Sequence, residues 1–179
     1  MTDLLTVLEE DPVRLEPLTD DHIEPLRIAC AEDQDIWQIY PVNMLGDDFD
    51  RAVADFRARK SWINFAVLDC QSDKLVGMTN YINPDPANGV TEIGGTFISP
   101  AVRSTGFNRM MKRLMIDHAL AQGFYRVELR VDTRNTRSMA AVSRLGAKQD
   151  GTLRGNRVTW TGYRRDTAVF SILKDEWQG

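Results

Sequence analysis

The chain has 179 residues, 42% of them hydrophobic and 27% charged, with a formal net charge of −4. That balance excludes a disordered chain and gives one domain over 1–179 with room for a real core. It argues against broad nucleic-acid binding, and no apolar run is long enough to span a bilayer, so no membrane partner is expected. The start, MTDLLTVLEEDPVRLEP, is acidic and lacks a basic, apolar leader. Cys30 and Cys70 make neither a disulfide framework nor a metal spacing and read as small core fillers. A cytoplasmic protein in a reducing compartment, without a metal, is the expectation.

Val13 to Leu18 alternates apolar and polar residues and predicts a first strand. Thr19 or Asp20 caps a helix with Glu24 in its first turn and Ile23, Leu26, Ile28 and Ala29 as apolar surface. A short helical turn through Ile36, Trp37 and Tyr40 is broken by Pro41. Asp48 to Lys60 is a helix with Phe49, Val53 and Phe56 on one face. Trp62 to Leu68 and Lys74 to Ile82 make a hairpin, and Asn83 to Gly89 is a strong turn. Thr91 to Ser99 is the central strand, ended by Pro100. The helix after it has Phe107, Met110, Met111, Leu114, Met115 and Ala119 at helical spacing and stops at Gly123. His118 lies on that apolar face and reads as a satisfied histidine. Tyr125 to Val131 is a strand and Thr136 to Leu145 a short helix. Gly151 to Trp160 and Tyr163 to Leu173 form a final hairpin around Thr161-Gly162. A mixed α/β sheet follows, with the strand–helix–strand unit from Thr91 to Val131 parallel and right-handed.

The informative stretch is TEIGGTFISPAVRSTGFNRMMKRLMIDHALAQ, from Thr91 to Gln122. A polar turn, Arg103-Ser104-Thr105-Gly106-Phe107-Asn108, feeds directly into a helix. Such a turn aims unpaired N–H groups and the positive end of the helix dipole at one point, which makes an anion site. Arg103, Arg109, Lys112 and Arg113 add formal charge. The turn has no Gly-Lys-Ser/Thr ending and no three-glycine dinucleotide fingerprint. Gly94-Gly95 inside the strand marks either a bulge or close approach by a ligand backbone, or room for a bulky neighbouring side chain.

The turn resembles motif A of the GNAT superfamily of acyl-CoA N-acyltransferases: Gln or Arg, two residues, Gly, one residue, then Gly or Ala. Arg103 and Gly106 match, and Asn108 stands in the last position. Two further segments extend the resemblance, first to GNAT proteins generally and then, from Gly151 on, to their RimJ/RimL-type branch. In DTRNTRSMAAVSRLGAKQDG, Asn135 and Gly146-Ala147 take the expected places, and Gly151-Thr152-Leu153-Arg154 follows with Asp150 replacing the usual Glu. The tail RRDTAVFSILKDEW is similar to that branch's Arg-Asp ending. The three motifs occur in order over most of Val13 to Trp177.

The resemblance implies a single mixed, mostly antiparallel twisted sheet with a splayed parallel strand pair and flanking helices. It implies acetyl-CoA as co-substrate, held by the turn residues Arg103 to Asn108 with Arg109, and by backbone groups of Phe97 and Ile98 that pair with the pantetheine amides. The Ile98 N–H is the simplest oxyanion donor. Asn135 would bond the pantetheine arm, or serve as a helix N-cap. Glu92 is the base candidate, acting through water; it reads equally as a strand-end carboxylate in a salt bridge. Ser138 is the acid candidate facing the coenzyme sulfur, or a residue completing a first helical turn. A tyrosine used by many relatives seven residues after the asparagine is absent, since Val142 stands there. Trp37, Tyr40, Asn80, Trp160 and Tyr163 are candidates to line the acceptor site, or plain core. The expected activity is direct acetyl transfer to a primary amine, a protein or peptide N-terminus or a small molecule, by a possible homodimer. The alternative is a non-catalytic acyl-CoA-binding sensor.

Overall fold

The structure, a computed structural model, describes residues 3–179. Eight strands form one sheet in the order β1-β2-β3-β4-β5-β6-β8-β7. They are β1 (Leu8–Glu10), β2 (Val13–Pro17), β3 (Trp62–Asp69), β4 (Lys74–Asp85), β5 (Val90–Ile98), β6 (Arg126–Asp132), β7 (Lys148–Val158) and β8 (Arg164–Leu173). All neighbours are antiparallel except β5 and β6, which run parallel. The helices are α1 (Ile23–Ala31), α2 (Asp48–Ala58), α3 (Phe107–Ala121) and α4 (Thr136–Arg144). α3 is the crossover that a parallel pair requires.

Both faces of the sheet are covered. α3 presses Met111, Met115, Ile116 and Ala119 onto Ile93 of β5 and Val127 and Leu129 of β6. α1 and α2 cover the other face, where Leu26, Cys30, Phe49, Val53 and Phe56 meet Met78 and Phe97. The helical spacing of Phe49, Val53 and Phe56 is realised as the buried stripe of α2. Several expectations need correction. Ile28 is exposed rather than packed, and Cys70 is exposed while Cys30 is buried. β1 is an additional strand, and β4 runs three residues past Ile82 to pair Asp85 with Val90. On α3, Met110 and Leu114 are only partly buried, and Lys112 is buried instead.

β5 changes face midway. Ile93 packs under α3, yet Phe97, four residues on, packs under α1 and α2. Strict alternation would put both on one side. The register gives the cause: Asn80 pairs with Gly94 while Met78 pairs with Phe97, so β5 carries one extra residue. Gly95 takes it with φ +57°, a backbone angle that side chains rarely tolerate. The Asn80 amide pins the bulge by donating to the Gly94 and Gly95 carbonyls at 3.0 and 3.3 Å.

Candidate active site

The parallel pair is short. Val90, Thr91 and Glu92 match Arg126, Val127 and Glu128, and beyond them β5 and β6 diverge. The gap opens into a cleft of roughly 790 Å³. Ser99 N–H donates to the Val76 carbonyl (2.7 Å), so alternation turns the Phe97 backbone toward β4 and the Ile98 backbone into the gap. Ile98 therefore offers the open N–H, while Phe97 contributes a buried ring whose centroid lies 4.9 Å from that of Trp37, tilted by 32°. The open-edge carbonyls are occupied: Tyr40 O–H donates to Thr96 O at 2.6 Å, and Arg103 Nε donates to Ile98 O at 3.0 Å. Burial pushes the Tyr40 phenol up to about 12, so it stays a donor.

At the far end the β5–α3 turn delivers its amides. Gly106 caps α3 with φ +91°, and Ser104 has φ +64°. Among the described residues no acceptor meets the N–H groups of Ser104, Gly106, Asn108 or Arg109, and all four residues line the cleft. Thr105 and Phe107 serve the turn itself. Thr105 Oγ1 donates to the Val102 carbonyl and accepts from the Phe107 N–H, and the Phe107 ring is buried. Arg103 turns inward, with its guanidinium on Asp33 and over the Phe97 ring. Of the four cations expected at the turn, only Arg109 has no ion-pair partner there among the described residues: Arg113 pairs with Glu10, and Lys112 enters the sheet. Arg137 and Arg144 of α4, which the sequence reading left out, line the same cleft without carboxylate partners among the described residues.

Asn135 and Ser138 meet at the start of α4. The Asn135 Oδ1 accepts from the Ser138 N–H (3.0 Å), so the N-cap is made, and both residues still line the cleft. Glu92 lies at the fork of the strands, on the face opposite Ile93. Its Oε2 is 3.3 Å from Arg130 Nε. Burial raises its pKa, against the pull of Arg130, Arg157 and Arg165. The two glycines of β5 have separate causes. A Cβ on Gly94 would stand 2.8 Å from Glu92 Oε1, so Gly94 leaves room for the carboxylate, whereas Gly95 makes the bulge.

Lys112 is the unexpected residue. It reaches the gap from the α3 side, and its Nζ donates to Thr96 Oγ1 at 2.5 Å; that hydroxyl is 2.8 Å from Thr79 Oγ1. Desolvation lowers its pKa to about 7, with Glu92 opposing. The signal was in the spacing, because Lys112 lies four and seven residues before the buried Ile116 and Ala119.

The expected acceptor wall is assembled only in part. Trp37 and Tyr40 line the cleft. Asn80 is fully buried under the bulge and does not reach it. Trp160 lies at the tip of the β7–β8 hairpin and donates its indole N–H to the Trp37 carbonyl at 2.8 Å. Tyr163 stacks under Arg134, 3.7 Å from its ring centroid. Both brace the hairpin against neighbouring segments rather than line the cleft.

The Acetyltransferase (GNAT) domain family matches residues 13–148. The chain belongs to that family and is an acetyl-CoA-dependent acyltransferase. It superposes on a probable GNAT-family acetyltransferase from Chromobacterium violaceum with TM-score 0.90 and 32% identity, covering 98% of this chain and 89% of that one. A GCN5-related N-acetyltransferase from Brucella melitensis gives TM-score 0.88 and 28% identity over 99% and 82% of the two chains. The fold is also that of Mycobacterium smegmatis RimJ in complex with CoA-disulfide, at TM-score 0.82 and 18% identity over 98% and 90%. No curated protein matches the chain.

Proposed function

We infer that the protein transfers the acetyl group of acetyl-CoA directly to a primary amine in a ternary complex, as a RimJ/RimL-type member of its family. One observation carries this reading: a half-buried carboxylate, Glu92, stands at the fork of a splayed strand pair whose other end is a cradle of amides unpaired among the described residues. The cradle and Arg109, Arg137 and Arg144, unpaired among the described residues, suit the coenzyme's phosphates. The Asn135 amide suits its pantetheine arm, whose thioester end reaches the open Ile98 N–H of β5. The same Ile98 N–H suits the oxyanion that develops on the thioester carbonyl.

Glu92 takes a proton from the attacking amine through water. An α-amine has a pKa of about 8, so a modest base suffices near neutral pH. Ser138 supports the leaving thiolate. Thiol release measured across small amines and peptide N-termini tests the reading. Glu92→Gln should cut kcat by roughly 10²–10⁴ while coenzyme binding is kept, and Ser138→Ala should cut it less. Coenzyme binding with no transfer to any amine would instead make the protein a sensor.

A further inference from the structure

Strand register gathers charges at the acceptor end of the cleft. Glu92 matches Glu128 of β6, and Arg130 and Asp132 share that face of β6. Asp132 matches Thr167 of β8, and Arg165, two residues before Thr167, matches Arg157 of β7. Matched residues point to the same side, and alternate residues share a face. Arg157 and Arg165 therefore stand on the face that carries Glu92, and both line the cleft.

These two arginines lack adequate counter-ions. Arg165 is only 7% exposed. Its Nε donates to Thr167 Oγ1 at 2.9 Å, and Asp132 is 4.0 Å away. Asp132 is already claimed by Arg134, which donates to it from Nε at 3.1 Å and from Nη2 at 2.8 Å. The terminal nitrogens of Arg165 make no hydrogen bond among the described residues, yet they are not sealed from the cleft. Arg157 has no carboxylate within ion-pair distance among the described residues. Burial and the neighbouring Arg157 weigh against the charge on Arg165, and Asp132 and Glu92 offset only part of that cost. A guanidinium does not shed its proton to escape such a cost, so a further anion offsets what Asp132 and Glu92 leave. A fixed fork of free N–H groups has the geometry for a carboxylate or phosphate.

We propose that Arg165 and Arg157 form an oxyanion subsite for the acceptor, so that the acetylated amine carries a carboxylate or phosphate a few bonds away. This rests on the transfer reading and names the substrate class. The amine is placed toward Glu92 and the anion on the arginines. Polyamines, whose charges are all positive, are disfavoured.

Calorimetric titration of the protein saturated with CoA tests the subsite without turnover. The probes are matched pairs: β-alanine against β-alaninamide, 2-aminoethyl phosphate against ethanolamine, and spermidine. The two anionic probes tell carboxylate from phosphate. At least one anionic member should bind tenfold or more tighter than its neutral partner. Arg165→Gln should abolish that preference, and Arg157→Gln, at an exposed position, should weaken it about threefold or more with the fold intact. Equal affinity within both pairs, spermidine as the tightest probe, or a preference that survives both substitutions would overturn the proposal. Anion preference found as expected, with no thiol release from acetyl-CoA, would contradict the transfer reading and leave the subsite standing.

Discussion

Glu92 and Lys112 approach the β5–β6 gap from opposite faces, and each is shifted toward its neutral form by burial. For Glu92 this sets the acidic side of the rate profile. The base must be ionised, so kcat/KM should fall as pH drops through a value above the ordinary carboxylate range. Glu92→Gln should flatten that limb as well as lower the rate. For Lys112 the consequence is in stability. The folded pKa of about 7 lies below the ordinary 10.5, so between these values the unfolded chain binds the extra proton. The group therefore opposes folding most at and below about pH 7, and the penalty fades as pH rises toward 10.5. Lys112→Met should raise the unfolding free energy at pH 7 by on the order of 1–3 kcal/mol, after loss of the Thr96 hydrogen bond, and change it little near pH 10. Urea unfolding at the two pH values reads the difference. A gain that grew with pH would contradict the assignment.

At the scale of elements, the glycine pair of β5 does two jobs. Gly94→Ala would put a methyl 2.8 Å from Glu92 Oε1 and 3.0 Å from Ile82 Cδ1. It should displace the carboxylate and lower kcat about tenfold, with coenzyme affinity unchanged; steady-state kinetics beside a CoA titration separates the two. Gly95→Val meets Asn80 Nδ2 at 2.6 Å in a strained backbone, and should cost roughly 1–3 kcal/mol and narrow the gap. Most of this architecture was legible in the sequence. The turn Arg103 to Asn108 showed itself because a cradle of backbone amides leaves a local glycine spacing. The helices α2 and α3 showed themselves through their apolar period. The acceptor side was not legible, because long-range contacts decide it. The Trp160 indole is taken by a carbonyl 123 residues away, and Asn80 is consumed by a bulge whose existence depends on β4 register. Arg157 and Arg165 become neighbours only through hairpin pairing. β1, three residues long, carries too little periodicity to detect.

At the scale of the molecule, an acidic chain of net charge −4 turns a basic cleft inward. Arg109, Arg137 and Arg144 line it together with the amide cradle, and Arg130, Arg157 and Arg165 line it on the side of Glu92 and Asp132. Binding of the coenzyme should therefore weaken as ionic strength rises, since exposed charges are screened within about 10 Å at 0.1 M salt. The most direct test of the whole account is a calorimetric titration with acetyl-CoA of the wild-type protein and of Gly95→Val. One site per chain, weakened at least tenfold in the variant, is the expected result. No heat from the folded wild type, or equal affinity in both proteins, would show that the splayed edge of β5 does not hold the coenzyme.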